Sequence, residues 1–327
     1  MQCFEIPVPP ENKSKIYQKL WRFAATASWW LKLGRIVKKG DVVLYQHPLY
    51  GNRISEKMLP RIQKKSSCKF IAVIHDLESL RRGIEGVLSD NYETNKLADN
   101  VLLKKFDKVI CHNESMKKYL VNQGFDEAQL VCLEIFDYLS DCDRTQPDKG
   151  MIPSIAIAGN LAKGKSRYIY EIVSDSRSTV NTSLRLHLYG NNFDNSDENE
   201  NIIYHGSFKP DELAAHLEGD FGLVWDGSSP ETCAGNTGEY LRYNNPHKTS
   251  MYLSAGMPVI VWSKAAIADF VLKEGVGICV DSLYEVEEKI QSISADQYKE
   301  LCENAKVLSR KLKSGYYFEK ALKSAKL

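Results

Sequence analysis

The sequence predicts an α/β protein built on two parallel sheets, and three observations carry that expectation. Short apolar runs alternate with amphipathic helical stretches along the chain, which is the pattern of strand–helix–strand units. The alternation is broken by Asp141-Cys142-Asp143-Arg144-Thr145-Gln146-Pro147-Asp148-Lys149-Gly150, a polar, Pro- and Gly-punctuated stretch that reads as a linker. The chain also has 327 residues, 43% of them hydrophobic, enough for two domains with separate cores.

In the first half, strands are expected at Cys3–Val8, Asp41–Pro48, Lys69–Asp76, Asp107–Asn113 and Gln129–Phe136, with helical stretches such as Ile54–Lys65 and Glu114–Gln123 between them. After the linker, strands are expected at Ser154–Gly159, Leu184–Tyr189, Asn201–Gly206, Phe221–Trp225, Met257–Trp262 and Gly277–Val280. Such apolar runs are typical of strands covered on both faces. From Ala295 onward the chain reads as helix with no strand of its own. The result is two Rossmann-like domains facing a cleft, with ligands at the carboxyl ends of the strands. Residues 1–143 are expected to form the N-terminal domain, 151–310 the C-terminal one, and 311–327 a final helix.

The stretch from Asn244 to Trp262 is the most informative. It reads as loop, short helix, tight turn and buried strand. Pro246 suits the first helical turn, because its φ is fixed and it has no amide to leave unpaired. Lys248, Thr249 and Ser250 follow where helix amides lack intrahelical partners. Free amides beside a lysine make an anion site suited to phosphate. Gly256 then ends the helix before the apolar run Met257–Trp262.

A lysine in a short helix before Ala255-Gly256-Met257-Pro258-Val259-Ile260-Val261 resembles the donor half of GT-B glycosyltransferases. With Asn244-Asn245-Pro246-His247-Lys248 in front, it is similar to the bacterial galactofuranosyltransferase and glucosyltransferase group that builds surface polysaccharides and glycoproteins. The resemblance runs from Asp41 to about Ala321. It implies a UDP-sugar donor held by Asn245, His247, Lys248 and Thr249, and a glycan acceptor on a lipid or protein carrier. It also implies self-association, and a last helix, 311–327, that crosses back to the first domain. Members of the group usually open with a further strand, loop and helix. This chain starts almost at the strand Cys3–Val8, so either its start is truncated or it lacks that unit.

A second strand-to-helix turn, Ala158-Gly159-Asn160-Leu161-Ala162-Lys163-Gly164-Lys165-Ser166, combines a Gly-flanked loop with two lysines, a second candidate diphosphate holder. The competing reading is a solvated turn with surface lysines. By the resemblance, Tyr204-His205-Gly206-Ser207-Phe208 lines the nucleotide base, with Tyr204 or Phe208 stacking on it. The alternative is an aromatic that closes the core beneath a turn.

Retaining GT-B enzymes carry two glutamates with seven residues between them. Counting back from Gly256, those places hold Tyr243 and Met251, and the pair Glu231 and Glu239 lies twelve residues too early. An inverting reaction is therefore expected, with a general base in the first domain. Asp76 leads and His75 follows, at the end of Phe70-Ile71-Ala72-Val73-Ile74. The competing role for Asp76 is to cap the next helix. Gln46 and His47, ending the preceding strand, are candidate acceptor contacts.

No metal or other cofactor is expected. The one Asp-x-Asp pattern, Asp141-Cys142-Asp143, lies in the linker, and the histidines lack the paired spacing of a zinc site. A net charge of +1 argues against general nucleic-acid binding. The eight cysteines are scattered with no Cys-x-x-Cys pair, there is no secretory signal at Met1, and no apolar run approaches about 20 residues. Together these place the protein in the cytoplasm. Residues 13–39 carry eight basic residues and no acidic one, interleaved with Trp21, Phe23, Trp29 and Trp30. That stretch suits either the anionic inner face of the plasma membrane or an ordinary packed helix. The expected activity is thus hexosyl transfer from a UDP-sugar. The rivals are a non-catalytic partner of another transferase and a UDP-sugar epimerase or hydrolase.

Overall fold

The computed structural model describes residues 3, 5–7, 12–49, 51–83, 92–141, 144, 152–175, 183–194 and 199–325. It divides into two compact units. The first comprises Met1–Cys111, Lys117–Val131 and Ala325–Leu327, and the second comprises His112–Met116 and Cys132–Ser324.

The first unit runs α1 (Lys15–Ile36), β1 (Val42–His47), α2 (Asn52–Ser66), β2 (Lys69–Ile74), α3 (Glu78–Gly83) and α4 (Tyr92–Lys96). The helical path continues through a π-turn at Leu97–Leu102 into β3 (Lys108–Cys111), and after α5 (Glu114–Asn122) comes β4 (Leu130–Cys132). The sheet order is β1-β2-β3-β4. β1 and β3 both run parallel to β2, with Val42 opposite Lys69 and Ile71 opposite Lys108. β2 is buried from Phe70 to Ile74, as its apolar run demands. Trp30 on α1 fills the adjoining core, stacking near Tyr45 and Phe70 and donating from Nε1 to Ser55 Oγ at 2.9 Å.

The second unit runs β5 (Ser154–Ala158), α6 (Arg167–Ser174), β6 (Arg185–Tyr189), β7 (Ile202–Tyr204), α7 (Pro210–His216) and β8 (Phe221–Val224). It continues through α8 (Gly235–Glu239), α9 (His247–Ser254), β9 (Val259–Trp262), α10 (Ala268–Glu274), β10 (Gly277–Val280), α11 (Val286–Ser292), α12 (Ala295–Ser314) and α13 (Tyr316–Ser324). Its parallel sheet has the order β10-β9-β8-β5-β6-β7. This is the doubly wound arrangement, whose strand order reverses between β5 and β8. Ser294 and Gln297 start α12 with a reciprocal capping box. The start of α13 is fixed by Asp137, whose carboxylate accepts from Tyr317 N at 3.1 Å and Phe318 N at 2.6 Å.

Ten of the expected strands form, most of them a residue or two shorter than expected. Cys3–Val8 is the exception. Cys3 and Glu5–Pro7 carry no strand, and Phe4 and Val8 lie outside the described residues. Pro7 has no amide for a ladder, and among the described residues β1 ends the sheet. Most of the 141–150 linker also lies outside the described residues, including Cys142 and Asp143 of the Asp-x-Asp pattern. The seven described cysteines are free thiols. No described helix is long and apolar enough to cross a membrane.

Candidate functional site

The strand order reverses between β5 and β8, and charged groups converge at the carboxyl ends of these two strands. Asp226 lies two residues beyond the end of β8. Its Oδ2 lies 3.1 Å from Lys248 Nζ and its Oδ1 lies 3.2 Å from Lys165 Nζ. Lys248 Nζ also donates to Trp225 O at 2.6 Å. One carboxylate thus holds two ammonium groups, brought from the loop after β5 and from the first turn of α9, at the place where a doubly wound fold binds ligand. The cluster carries a net single positive charge next to a helix N-terminus, which favours a polyanion.

α9 is locked onto the sheet by Tyr252. Its hydroxyl accepts from Ala158 N at 2.7 Å, and its ring lies so close to β8 that a Cβ on Gly222 would come within 2.2 Å of it. The helix begins at His247, with Pro246 as its extended cap residue at φ −64 and ψ 133. Pro246 is therefore one position earlier than expected. Lys248 is second in the helix, and Thr249 N donates back to Pro246 O at 2.9 Å. Thr249 Oγ1 and Ser250 Oγ are fully buried with no hydrogen-bond partner.

Asn245 fixes the approach to that helix. Its Nδ2 donates to His112 O and Glu134 O, each at 2.8 Å, and its Oδ1 accepts from Asn113 Nδ2 at 2.7 Å. Its backbone amide donates to His112 Nδ1 at 2.9 Å. The expected ligand contact is thus a buried anchor whose amide is committed to the protein. His247, exposed at the surface, stacks on Phe136 with ring centroids 4.2 Å apart.

The glycine after each of three neighbouring strands shapes the same end of the sheet. Gly159 and Gly190 have φ of +146 and +144, and a Cβ on Gly190 would meet Gly159 O at 1.7 Å. Only glycine permits that approach. Asn160 Oδ1 accepts from Ala162 N and from Asn192 Nδ2, both at 3.1 Å. The two lysines of this loop part company. Lys165 joins Asp226, whereas Lys163 pairs with Asp194 at 2.7 Å on the surface and lies over the Tyr170 ring. Tyr204 is exposed at the edge strand and donates to Gly190 O at 2.8 Å, whereas Phe208 is half-buried and stacks on His216.

Histidines of this unit also meet. His187 Nδ1 and His205 Nε2 lie 3.0 Å apart, with Glu218 Oε2 3.7 Å from His187. The near-coplanar rings, 5.2 Å between centroids, face nitrogen to nitrogen as in a direct hydrogen bond. Burial pushes His187 down to about 4, so it is neutral at pH 7.

In the first unit, His75 and Asp76 follow β2 and are partly exposed. His75 Nε2 meets Gln46 Oε1, and Asp76 Oδ2 lies 3.9 Å from Arg81 Nη1. The first bond of α3 runs from Arg81 N to Leu77 O, so Leu77, not Asp76, precedes the helix as its cap residue. His47 departs from the expected acceptor role. It is fully buried, with Nε2 2.7 Å from Asp99 Oδ1, while Asp99 Oδ2 takes both Ser79 N and Ser79 Oγ at 2.7 Å. A ring enclosed in this way stays within the core.

Sequence reasoning passed over Asp226. The available signal was a carboxylate directly after the apolar run Phe221–Trp225, the same placement that singled out Asp76 after β2.

Residues 155–325 match the family described as "Glucosyltransferase 3-like, C-terminal domain", and residues 11–135 match its N-terminal domain. The chain belongs to the glucosyltransferase 3-like family. This glucosyltransferase 3-like protein is 38% identical over 263 residues to "Beta-1,6-galactofuranosyltransferase WbbI" of Escherichia coli (strain K12), covering 78% of this chain and 70% of the relative. It is 28% identical over 284 residues to "Glucosyltransferase 3" of Streptococcus gordonii, covering 86% and 78%. Among solved structures, Anabaena Alr3699/HepE in complex with UDP superposes with a TM-score of 0.56 at 12% identity, covering 93% of this chain and 82% of that one. The glucosyltransferase 3-like protein is a glycosyltransferase with the GT-B architecture of two parallel-sheet units.

Proposed function

We propose that this glycosyltransferase moves a hexosyl unit, galactofuranose or glucose, from a UDP-sugar to a glycan acceptor on a lipid or protein carrier, inverting the anomeric centre without a metal. The observation that carries this reading is the Lys165–Asp226–Lys248 cluster at the switch point of the second sheet. The relatives named for galactofuranosyl and glucosyl transfer, and the UDP in the Alr3699/HepE structure, support the choice of donor.

Lys248, Lys165 and the first amides of α9 hold the diphosphate and stabilise the charge that gathers on UDP as the glycosidic bond breaks. Fixed ammonium groups supply there the charge that a bound cation supplies elsewhere. An acceptor hydroxyl attacks the anomeric carbon from the face opposite UDP. Its proton passes to Asp76, or to His75 beside it, and the bonding pair leaves with UDP. Inversion is supported by Tyr243 and Met251, neither of them a carboxylate, at the two places where retaining enzymes carry glutamate.

The test is turnover of UDP-galactofuranose and UDP-glucose with candidate glycan acceptors in EDTA, with the new linkage read by NMR. Acceptor-dependent release of UDP with an inverted anomeric centre is the expected result. Retention, a requirement for added divalent cation, or equal turnover without acceptor would each overturn part of the reading.

A further inference from the structure

The amphipathic helix α1 presents its apolar stripe to solvent. Only Thr26, Trp30 and Leu33 are buried along its length, all in its C-terminal half, and no residue from Lys15 to Ala25 is. Gly51 approaches Thr26, and Gly34 lies against Ile62 of α2, so the closest packing is in the C-terminal half.

The face adjoining the buried one carries Ile16 at 73% exposure, Leu20 at 65%, Phe23 at 62% and Leu31 at 54%. At about 100° per residue these four side chains fall within an arc of roughly 80°, and exposed Tyr17 widens it to about 120°. A surface helix that served only to cover its own sheet would carry polar residues there. Basic residues border this arc. Lys15 and Lys19 lie along one side and Arg35 along the other, all exposed, with Lys13, Lys38 and Lys39 exposed just beyond the ends of the helix. Residues 13–39 contain no acidic side chain.

We infer that the exposed face of α1 docks on an anionic lipid bilayer, with Ile16, Leu20, Phe23 and Leu31 in the acyl boundary and the flanking lysines and Arg35 on the headgroups. Charge complementarity selects this occupant. An apolar stripe edged by cations with long aliphatic stems matches the boundary between acyl chains and acidic headgroups. The inference uses the first unit alone and does not depend on the donor reading. It would bring the enzyme to the surface where a lipid-carried acceptor is found.

The test is co-sedimentation of the full chain with vesicles of phosphatidylcholine alone and of phosphatidylcholine with about one-third phosphatidylglycerol. Binding to the anionic vesicles, weakened by salt and slight on neutral ones, is expected. Leu20→Asp with Phe23→Asp, and separately Lys15→Glu with Lys19→Glu, should each lower the bound fraction at least about tenfold. Circular dichroism and thermal unfolding should remain unchanged, because all four positions are exposed. No binding by the wild type, equal binding to neutral vesicles, or full binding by either double variant would overturn the inference. So would self-association abolished by Leu20→Asp with Phe23→Asp in a protein that ignores vesicles, which would make the face an interface between copies of this chain.

Discussion

Replacing Asn245 by alanine should destabilise the protein far more than its place in a loop suggests. The side chain is 1% exposed and makes three hydrogen bonds: two from Nδ2 to His112 O and Glu134 O, and one to Oδ1 from Asn113 Nδ2. Two of the partners keep other bonds. His112 O still accepts from Glu134 N at 3.0 Å, and Asn113 Nδ2 still reaches Tyr243 O at 3.0 Å. Glu134 O loses its partner in the amide. Three bonds at about 1 kcal/mol each, plus roughly 1–2 kcal/mol for the deserted carbonyl, give about 4–5 kcal/mol. In a unit of this size that lowers Tm by about 8–20 °C. Asn245→Asp should be at least as harmful, since an oxygen would then face two carbonyls. Calorimetry of wild type and both variants provides the measurement. A loss below about 1 kcal/mol for Asn245→Ala would refute the view that this amide anchors the entry to α9.

The two lysines of the β5 loop should separate in their effects. Lys165→Ala removes a cation of the switch-point cluster and should weaken UDP at least about tenfold, whereas Lys163→Ala breaks the surface pair with Asp194 and the contact with the Tyr170 ring and should leave affinity within about twofold, as read by calorimetric titration. Stability should also depend on pH through His187. Its folded pKa of about 4 lies below the ordinary 6.5, so the unfolded chain binds more protons between those values. Stability is therefore complete above about pH 6.5 and falls by on the order of 3 kcal/mol as pH drops toward 4, and His187→Gln should flatten that slope in urea unfolding.

The architecture was legible because a parallel sheet writes itself locally. Runs such as Phe70–Ile74 and Val259–Trp262 are apolar throughout, and Gly159, Gly190 and Gly206 punctuate the ends of three strands. The fate of individual polar side chains was less legible, because their partners are remote in sequence. Asn245 reads as a ligand contact until His112, Asn113 and Glu134, more than 100 residues away, claim its amide. His47 reads as a cleft residue until Asp99 encloses it. Lys163 and Lys165 look equivalent, and only the positions of Asp194 and Asp226 tell them apart. Lys248 was legible because helix start, glycine turn and apolar strand all lie within a few residues of it.

The central claim is that the ends of β5, β8 and α9 form a nucleotide diphosphate site. Calorimetric titration with UDP, comparing wild type with Lys248→Ala, tests it most directly. Saturable binding by wild type with one site per chain is expected, weakened at least about tenfold in the variant, a loss of 1.4 kcal/mol or more, with unfolding unchanged. A folded wild type that does not bind UDP, or a variant that binds it equally well, would contradict the account.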